Sequence, residues 1–212
     1  MQSNNSFMSL YSRFILPKIL DKSMSDPALK SIRRNLLANA AGNILEIGFG
    51  SGVNLPEYPA STKEITAVDT NPGFAKLINK QFASSSIKVN HVVASMENLP
   101  FPDATFDTVI STWTLCSVTD VDQALEEIKR VLKPEGKFLF IEHGLNNNKR
   151  TAWLQNATNW FSKLRYGGCN LNRQIPAILK RHDLAINEYR EFDIAQKELL
   201  TRHTYQGIAH KI

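Results

Sequence analysis

Long apolar runs are missing from this 212-residue chain, and none approaches the roughly 18 residues that a membrane-spanning helix needs. The first ten residues contain neither a basic region nor an A-x-A site, so they do not resemble a secretory signal. We therefore expect no transmembrane span, no secretory leader and a cytoplasmic location.

Cysteine is also scarce, with Cys116 and Cys169 as the only two. They form no C-x-x-C motif and show no spacing typical of metal ligands. We expect two reduced thiols and no metal site. Nothing close to Cys116 in the sequence would activate its thiol, which argues against a catalytic cysteine.

Acidic residues are few in the last third of the chain. The net charge is +5, but residues 1–142 carry 14 Lys+Arg against 15 Asp+Glu (−1), whereas residues 143–212 carry 11 against 5 (+6). Such a basic region favours an anionic substrate or an anionic membrane surface, or it is simply a solvated face. No nucleic-acid motif and no lysine-rich tail are present, so we expect no nucleic-acid partner.

A glycine-rich turn is the most informative feature that is present. The sequence N-I-L-E-I-G-F-G-S-G, residues 43–52, begins as a short apolar strand that contains Glu46. The turn then has three glycines at alternate positions, Gly48, Gly50 and Gly52. A second apolar strand, residues 65–68, is followed by Asp69, whose carboxylate can accept hydrogen bonds from both hydroxyls of a ribose. This arrangement predicts a nucleoside site at the ends of two parallel strands.

The spacing of the glycines distinguishes between nucleoside ligands. A dinucleotide site has the pattern G-x-G-x-x-G, but Val53 stands where its last glycine would be. Glu46 would repel a pyrophosphate and would suit an ammonium or sulfonium group. A dinucleotide site and a turn that binds nothing remain the alternatives.

These residues resemble motif I, E-x-G-x-G-x-G, of the class I S-adenosylmethionine-dependent methyltransferases, and the resemblance covers about residues 30–143. The segment from Ser95 to Asp107 is similar to the family pattern D-A-E-x-L-P-F-x-D-x-x-F-D, with Ser95 in place of the family's acidic residue. The resemblance implies S-adenosyl-L-methionine as cofactor and S-adenosyl-L-homocysteine as product. The candidate cofactor-binding residues are Glu46, Gly48, Phe49, Gly50, Gly52, Asn54, Asp69, Thr70, Asn71, Ser95, Met96, Glu97, Thr112 and Trp113.

The periodicity of apolar residues predicts an α/β fold with alternating helices and strands. The expected strands are residues 44–47, 65–68, 87–94, 108–112, 137–142, 184–192 and 201–211, and residues 133–136 are predicted to form a turn. They fit a Rossmann-like, seven-stranded, doubly wound sheet with helices on both faces, and the resemblance implies an antiparallel last strand. We treat residues 1–212 as one domain, with N-terminal lid or helices (1–40), a cofactor-binding half (41–143) and a substrate-side half (144–212).

Four shorter stretches suggest a narrower resemblance. The sequences L-C-S-V, E-H, G-C-N-L-N-R and G-I-A, which begin at residues 115, 142, 168 and 207, look like the methyltransferase-like family that includes the mammalian microsomal thiol methyltransferases. This implies a small hydrophobic acceptor, with a thiol favoured. A phospholipid amine or quinone at a membrane surface and a non-catalytic S-adenosylmethionine-binding module are the alternatives. His143 ends a strand and is the candidate catalytic base.

Two apolar segments with basic residues, Phe7–Leu20 and Trp153–Arg165, could form lids over a small-molecule or lipid-like substrate. Either could also lie on a membrane as an interfacial helix, which would make the protein peripheral, or pack against the core. We expect Pro17 to break or kink the first segment, because proline removes a helical hydrogen bond.

Overall fold

Seven strands form one sheet in this computed structural model, which describes residues 10–212 apart from the side chains of Ala75, Lys76 and Lys80. The strands are β1 Ile44–Ile47, β2 Glu64–Asp69, β3 Lys88–Val93, β4 Phe106–Thr112, β5 Leu132–His143, β6 Leu184–Asp193 and β7 His203–Lys211. Their order is β3-β2-β1-β4-β5-β7-β6, and β7 runs antiparallel to both β5 and β6. The predicted fold class, with its antiparallel last strand, is confirmed.

Helices cover both faces of the sheet. The α-helices are α1 Leu16–Met24, α2 Pro27–Leu37, α3 Ala75–Ser84, α4 Val121–Val131, α5 Lys149–Arg165 and α6 Ile175–Arg181. Short 3-10 helices span Leu55–Glu57 and Pro72–Phe74, and a π-helical turn spans Tyr11–Ile15. Within residues 10–212, no helix combines the length and apolar character needed to cross a bilayer.

The central strands are apolar on both sides because each side packs against helices. Along β5, Phe138 and Phe140 belong to the core that α4 covers, whereas Leu139 and Ile141 belong to the core that α2 covers. Side chains alternate between the two faces of a strand, so a strand buried on both faces reads as a continuous hydrophobic run. This explains why the sequence signal for these strands was strong.

Pro17 does not break the N-terminal helix. The backbone N–H of Leu16 donates to the carbonyl of Tyr11, five residues earlier, and α1 continues directly with Pro17 in its first turn. The wider π turn accommodates the missing N–H and the ring of proline, so the chain continues as a helix and the break, one of the two outcomes that we predicted for Pro17, does not occur. The part of the segment before residue 10 lies outside the described residues.

The turn predicted at residues 133–136 is also wrong. These residues belong to β5, which begins at Leu132, where the fully buried leucine pairs with Phe106. Pairing continues from Lys137 with Thr108, so the intervening residues form an irregularity in the strand. Such an irregularity also accommodates Pro134, which has no N–H to contribute to a sheet.

Candidate active site

A cavity of about 370 Å³ lies at the carboxyl ends of β1, β2 and β4. Here β1 has β2 on one side and β4 on the other. The connections to these two neighbours therefore run in opposite directions along the sheet and leave a crevice between them. The volume lies in the range of pockets that enclose a ligand of nucleoside size. Thirteen of the fourteen candidate cofactor-binding residues line it, and Gly52 is the exception.

The glycine turn forms the floor of the cavity. The N–H of Gly48 donates to the Val68 carbonyl at 2.8 Å, which holds the turn against β2. Gly48 has a φ of 69°, and a Cβ there would lie 2.1 Å from Oγ1 of Thr114. A side chain at this position would therefore meet both backbone strain and a steric clash. Gly52 lies against the Phe49 ring and is not among the described lining residues, so its contact with the cofactor stays a prediction.

Asp69 connects this turn to the end of β2. Its Oδ2 accepts a hydrogen bond of 2.8 Å from the N–H of Gly50, and its Oδ1 accepts one of 2.8 Å from the N–H of Asn71. Burial raises the pKa of this carboxyl group, and the backbone hydrogen bonds oppose that shift. A carboxylate has about four acceptor positions, so each oxygen retains capacity for a ligand hydroxyl.

Asn71 extends the same network to the N-terminal helix. Its side-chain amide donates to the backbone carbonyl of Ser12 at 3.0 Å, and its Oδ1 accepts from the N–H of Gly73 at 2.8 Å. The N-terminal segment is therefore hydrogen-bonded to the loop that follows β2. Leu16, Leu20 and Met24 add apolar side chains to the cavity wall on this side.

Glu46 is a buried carboxyl group in the wall of the cavity. It is 1% exposed and accepts hydrogen bonds from Nδ2 of Asn54 at 2.9 Å and from the Tyr58 hydroxyl at 2.6 Å. Burial raises the pKa of Glu46 to about 7, and the hydrogen bonds from Tyr58 and Asn54 oppose this rise. Glu46 therefore changes its charge near neutral pH.

Arg33 is a functional candidate that sequence reasoning missed. It lies on α2, is 2% exposed and lines the cavity with its guanidinium group 5.1 Å from the centre of the Trp113 ring. Burial lowers its pKa to about 10, and attraction to Glu46 opposes that shift. Its Nε is buried without a hydrogen-bond partner among the described residues. The sequence did contain a signal for it. Arg33 lies four residues after Leu29, which places a cation on the apolar face of the helix.

Trp113 follows β4 in an unfavourable backbone conformation. Its φ is 51°, a region that bulky residues rarely adopt, and its N–H donates to the Ile141 carbonyl at 2.7 Å. This conformation ends β4 with the tryptophan in the cavity wall and with its ring against Arg33. Strain of this kind is concentrated at ligand-binding sites, where neighbouring contacts hold it in place.

The loop after β3 forms another part of the cavity wall. The Ser95 hydroxyl donates to Oε2 of Glu97 at 3.1 Å, and Oε1 of Glu97 accepts from the N–H of Asp120 at 2.7 Å. Met96 is 7% exposed and lines the cavity. The loop thus presents one apolar side chain between two polar ones, which suits the face and edge of a base.

His143 does not lie in the cavity wall, which departs from our prediction of a base acting on the substrate. The side chain is 5% exposed, and its Nε2 lies 3.0 Å from Sγ of Cys169. The carboxyl end of β5 is one strand further from β1 than the end of β4 is, and the loop after β4 separates the histidine from the cavity. Among the described lining residues there is no histidine, cysteine or lysine.

Comparisons with known proteins agree with this geometry. Residues 45–140 match the methyltransferase domain family. The crystal structure of the YcgJ protein from Bacillus subtilis has a similar fold, with a TM-score of 0.69 at 17% identity over 87% of this chain and 97% of that one. Residues 45–140 therefore carry a methyltransferase domain, and the fold is that of solved S-adenosylmethionine-dependent methyltransferases.

Named relatives extend the similarity beyond the domain. Human thiol S-methyltransferase TMT1A is 34% identical over 143 residues, which are 66% of this chain and 58% of that protein. Mouse thiol S-methyltransferase TMT1B is 35% identical over 144 residues, which are 65% and 59% of the two chains. The matched region thus spans less than two thirds of these relatives' own length.

The buried carboxyl group of Glu46 leads to a prediction about pH. Its pKa of about 7 means that the negative charge is present above neutral pH and is lost below it. S-adenosylmethionine is cationic at its sulfonium and amino groups, so we expect its affinity to fall as the pH decreases from 8 to 6. Isothermal titration calorimetry of the cofactor at several pH values measures this dependence.

The control is Glu46→Gln, which cannot ionise and keeps a similar shape. It should bind more weakly at pH 8 and lose most of the pH dependence. An unchanged pH dependence in Glu46→Gln would show that another group is responsible.

Proposed function

We propose that this protein transfers the methyl group of S-adenosylmethionine to a small hydrophobic acceptor, and that the acceptor is a thiol. The observation that carries the proposal is the cavity itself, whose lining combines Asp69 and the glycine turn with the apolar side chains of the N-terminal helix. The relatives TMT1A and TMT1B, which are named as thiol S-methyltransferases, support the choice of acceptor.

The residues of the cavity fit this cofactor. When bound, S-adenosylmethionine supplies a methyl group on a positively charged sulfur. The free acceptor positions of Asp69 suit the ribose hydroxyls, and the backbone at Gly48 and Gly50 allows close approach. Glu46 suits the amino group, while the unpartnered Nε of Arg33 suits the carboxylate of the methionine part.

The acceptor side of the cavity favours a nucleophile that needs little proton transfer. Leu16, Leu20, Met24 and Tyr166 make this part of the wall mostly apolar, although Asp21 lies among them, and no histidine or lysine is present among the described lining residues. A thiol with a pKa near 8.5 supplies some thiolate at neutral pH, whereas a hydroxyl would need a base. Alignment of the two reactants is then the main contribution of the protein, and such positioning can supply roughly 7–11 kcal/mol.

The direct test is release of S-adenosylhomocysteine in the presence of a panel of alkyl and aryl thiols. We expect turnover with hydrophobic thiols and a loss of at least tenfold in Asp69→Ala, because its ribose contacts are removed. The matched control is Glu135→Ala, which removes an exposed carboxylate from the irregular part of β5. Cofactor binding without turnover on any acceptor would favour the non-catalytic binding module.

A second candidate acceptor is a phospholipid amine or quinone at a membrane surface, and a specific surface favours it. We call this surface the apolar rim, and its exposed side chains are Leu10, Phe14, Ile15, Trp153, Trp160, Phe161 and Leu164. The Tyr11 hydroxyl donates to the Arg165 carbonyl at 2.7 Å, so the first segment of the rim meets the C-terminal end of the helix that carries the second. Contiguous exposed apolar side chains are typical of interaction sites.

The rim also lies next to the entrance of the cavity. Its first segment continues into Leu16 and Leu20, and its second ends before Tyr166 and Gly167, all of which line the cavity. The basic residues Lys149, Arg150, Lys163 and Arg165 lie on the same helix as the two tryptophans. An anionic bilayer would bury the tryptophans and attract these charges, and it would bring an apolar acceptor to the entrance.

Vesicle flotation tests this surface. We expect the protein to float with phosphatidylglycerol-containing vesicles at low salt, and less so at high salt because screening weakens the attraction. Trp153→Asp combined with Trp160→Asp should abolish flotation, whereas the control Leu199→Asp, another exposed apolar residue, should not. If the wild-type protein stays unbound at low salt, the proposal of membrane contact is wrong.

A further inference from the structure

The two cysteines and the candidate histidine form a single buried cluster. The three come from different parts of the chain: Cys116 from the loop after β4, His143 from the end of β5, and Cys169 from the loop before α6. Their ligand atoms all lie within 4.8 Å of one another. They are 3%, 5% and 8% exposed, in that order. Nothing in the proposed methyl transfer uses this cluster.

We infer that Cys116, His143 and Cys169 bind a thiophilic divalent metal ion of the zinc class. In a tetrahedral zinc site, Zn–S bonds of about 2.3 Å and Zn–N bonds of about 2.0–2.1 Å place ligand sulfurs about 3.8 Å apart and sulfur and nitrogen about 3.6 Å apart. Nε2 of His143 lies 3.0 Å from Sγ of Cys169, and no two of the three ligand atoms are more than 4.8 Å apart. The ideal separations fall between these two distances. Small side-chain rotations would suffice.

The chemistry of the donors favours zinc over the other common ions. Two thiols and one imidazole are soft to borderline ligands, whereas magnesium and calcium require oxygen ligands. Binding converts both thiols into thiolates and releases two protons to the buffer. The two negative charges then balance the two positive charges of the ion, so the buried cluster stays neutral overall.

The backbone around the ligands is already fixed. The Cys116 carbonyl accepts hydrogen bonds from the N–H of Asn170 at 2.7 Å and from its side-chain amide at 2.9 Å. The Arg173 guanidinium group donates to the carbonyls of Leu115 and Val118, on either side of the cysteine. The loop that carries one cysteine is thus held by the loop that carries the other, and metal binding would not have to order either of them.

A bound ion would connect this cluster to the cavity wall. Trp113, Thr114, Ser117 and Val118 line the cavity and surround Cys116 in the sequence. An ion coordinated by both Cys116 and His143, at the end of β5, would hold this wall in place. Nδ1 of His143 is buried without a hydrogen-bond partner among the described residues. Ligand histidines usually have such a partner, and its absence implies an affinity roughly 10–100-fold weaker than that of a site that has one.

Cobalt(II) is a spectroscopic probe for this site. We expect the reduced, chelator-treated protein to bind one Co²⁺ per chain, with a thiolate-to-cobalt charge-transfer band and the visible bands of a tetrahedral ion that has three protein ligands and one water. Zn²⁺ should displace it. Because the chain has only two cysteines, any thiolate band reports on Cys116 or Cys169. Cys169→Ser should weaken the thiolate band, and His143→Asn should lower the affinity for Co²⁺.

The matched control is His182→Asn. His182 hydrogen-bonds to Glu126 through Nδ1 and to Asp122 through Nε2, and it lies outside the cluster, so replacing it removes a histidine without removing a ligand of the ion. This variant should leave the thiolate band unchanged. Absence of the band in folded, reduced wild-type protein would overturn the inference. A second result would also overturn it. If the intact protein, measured without strong reductant, has a mass 2 Da below that of the reduced chain, two thiol hydrogens have been lost and the two cysteines form a disulfide.

Discussion

The two hydrogen bonds from the backbone to the Asp69 carboxylate are the constraint on which the active site depends. One comes from Gly50 in the turn after β1 and the other from Asn71 in the loop after β2. Together they hold two separate loops at one edge of the sheet. The same carboxylate then faces the cavity with unused acceptor capacity, so the contacts that shape the fold also prepare the ligand site.

Buried charge is the second organising feature. Glu46 and Arg33 both line the cavity. Burial raises the pKa of Glu46 and lowers that of Arg33, so it favours the neutral form of each. The two charges attract one another across a site of low dielectric, which opposes these shifts. A site that presents one carboxyl group and one guanidinium group in this way is suited to a ligand that carries both an amino group and a carboxylate.

The sequence predicted what depends on local patterns. The glycine turn, Glu46 and Asp69 could be found because strand, turn and carboxylate follow one another within a short stretch. The central strands were clear because both of their faces are buried. The predicted turn at residues 133–136 is wrong and Pro17 does not break its helix, because an irregular strand and a π turn satisfy the backbone in ways that composition does not reveal.

The features that the sequence did not predict depend on contacts between distant elements. Arg33 meets Glu46 and Trp113 only after α2 packs against the sheet. Cys116 and Cys169 lie 53 positions apart, so their spacing resembles no known ligand motif, and only the fold brings them to His143. The same packing removes His143 from the cavity wall, although its place at a strand end suggested a base.

The most direct test of the central claim is a calorimetric double-mutant cycle on the ribose contact. S-adenosylhomocysteine and its 2′,3′-dideoxy analogue are titrated into the wild-type protein and into Asp69→Asn. A hydrogen bond to a charged group contributes about 1.5–3 kcal/mol, so removing the hydroxyls should weaken binding to the wild type by roughly 10–150-fold and to the variant much less. Equal losses in both proteins would contradict the account, because Asp69 would then not contact the ribose.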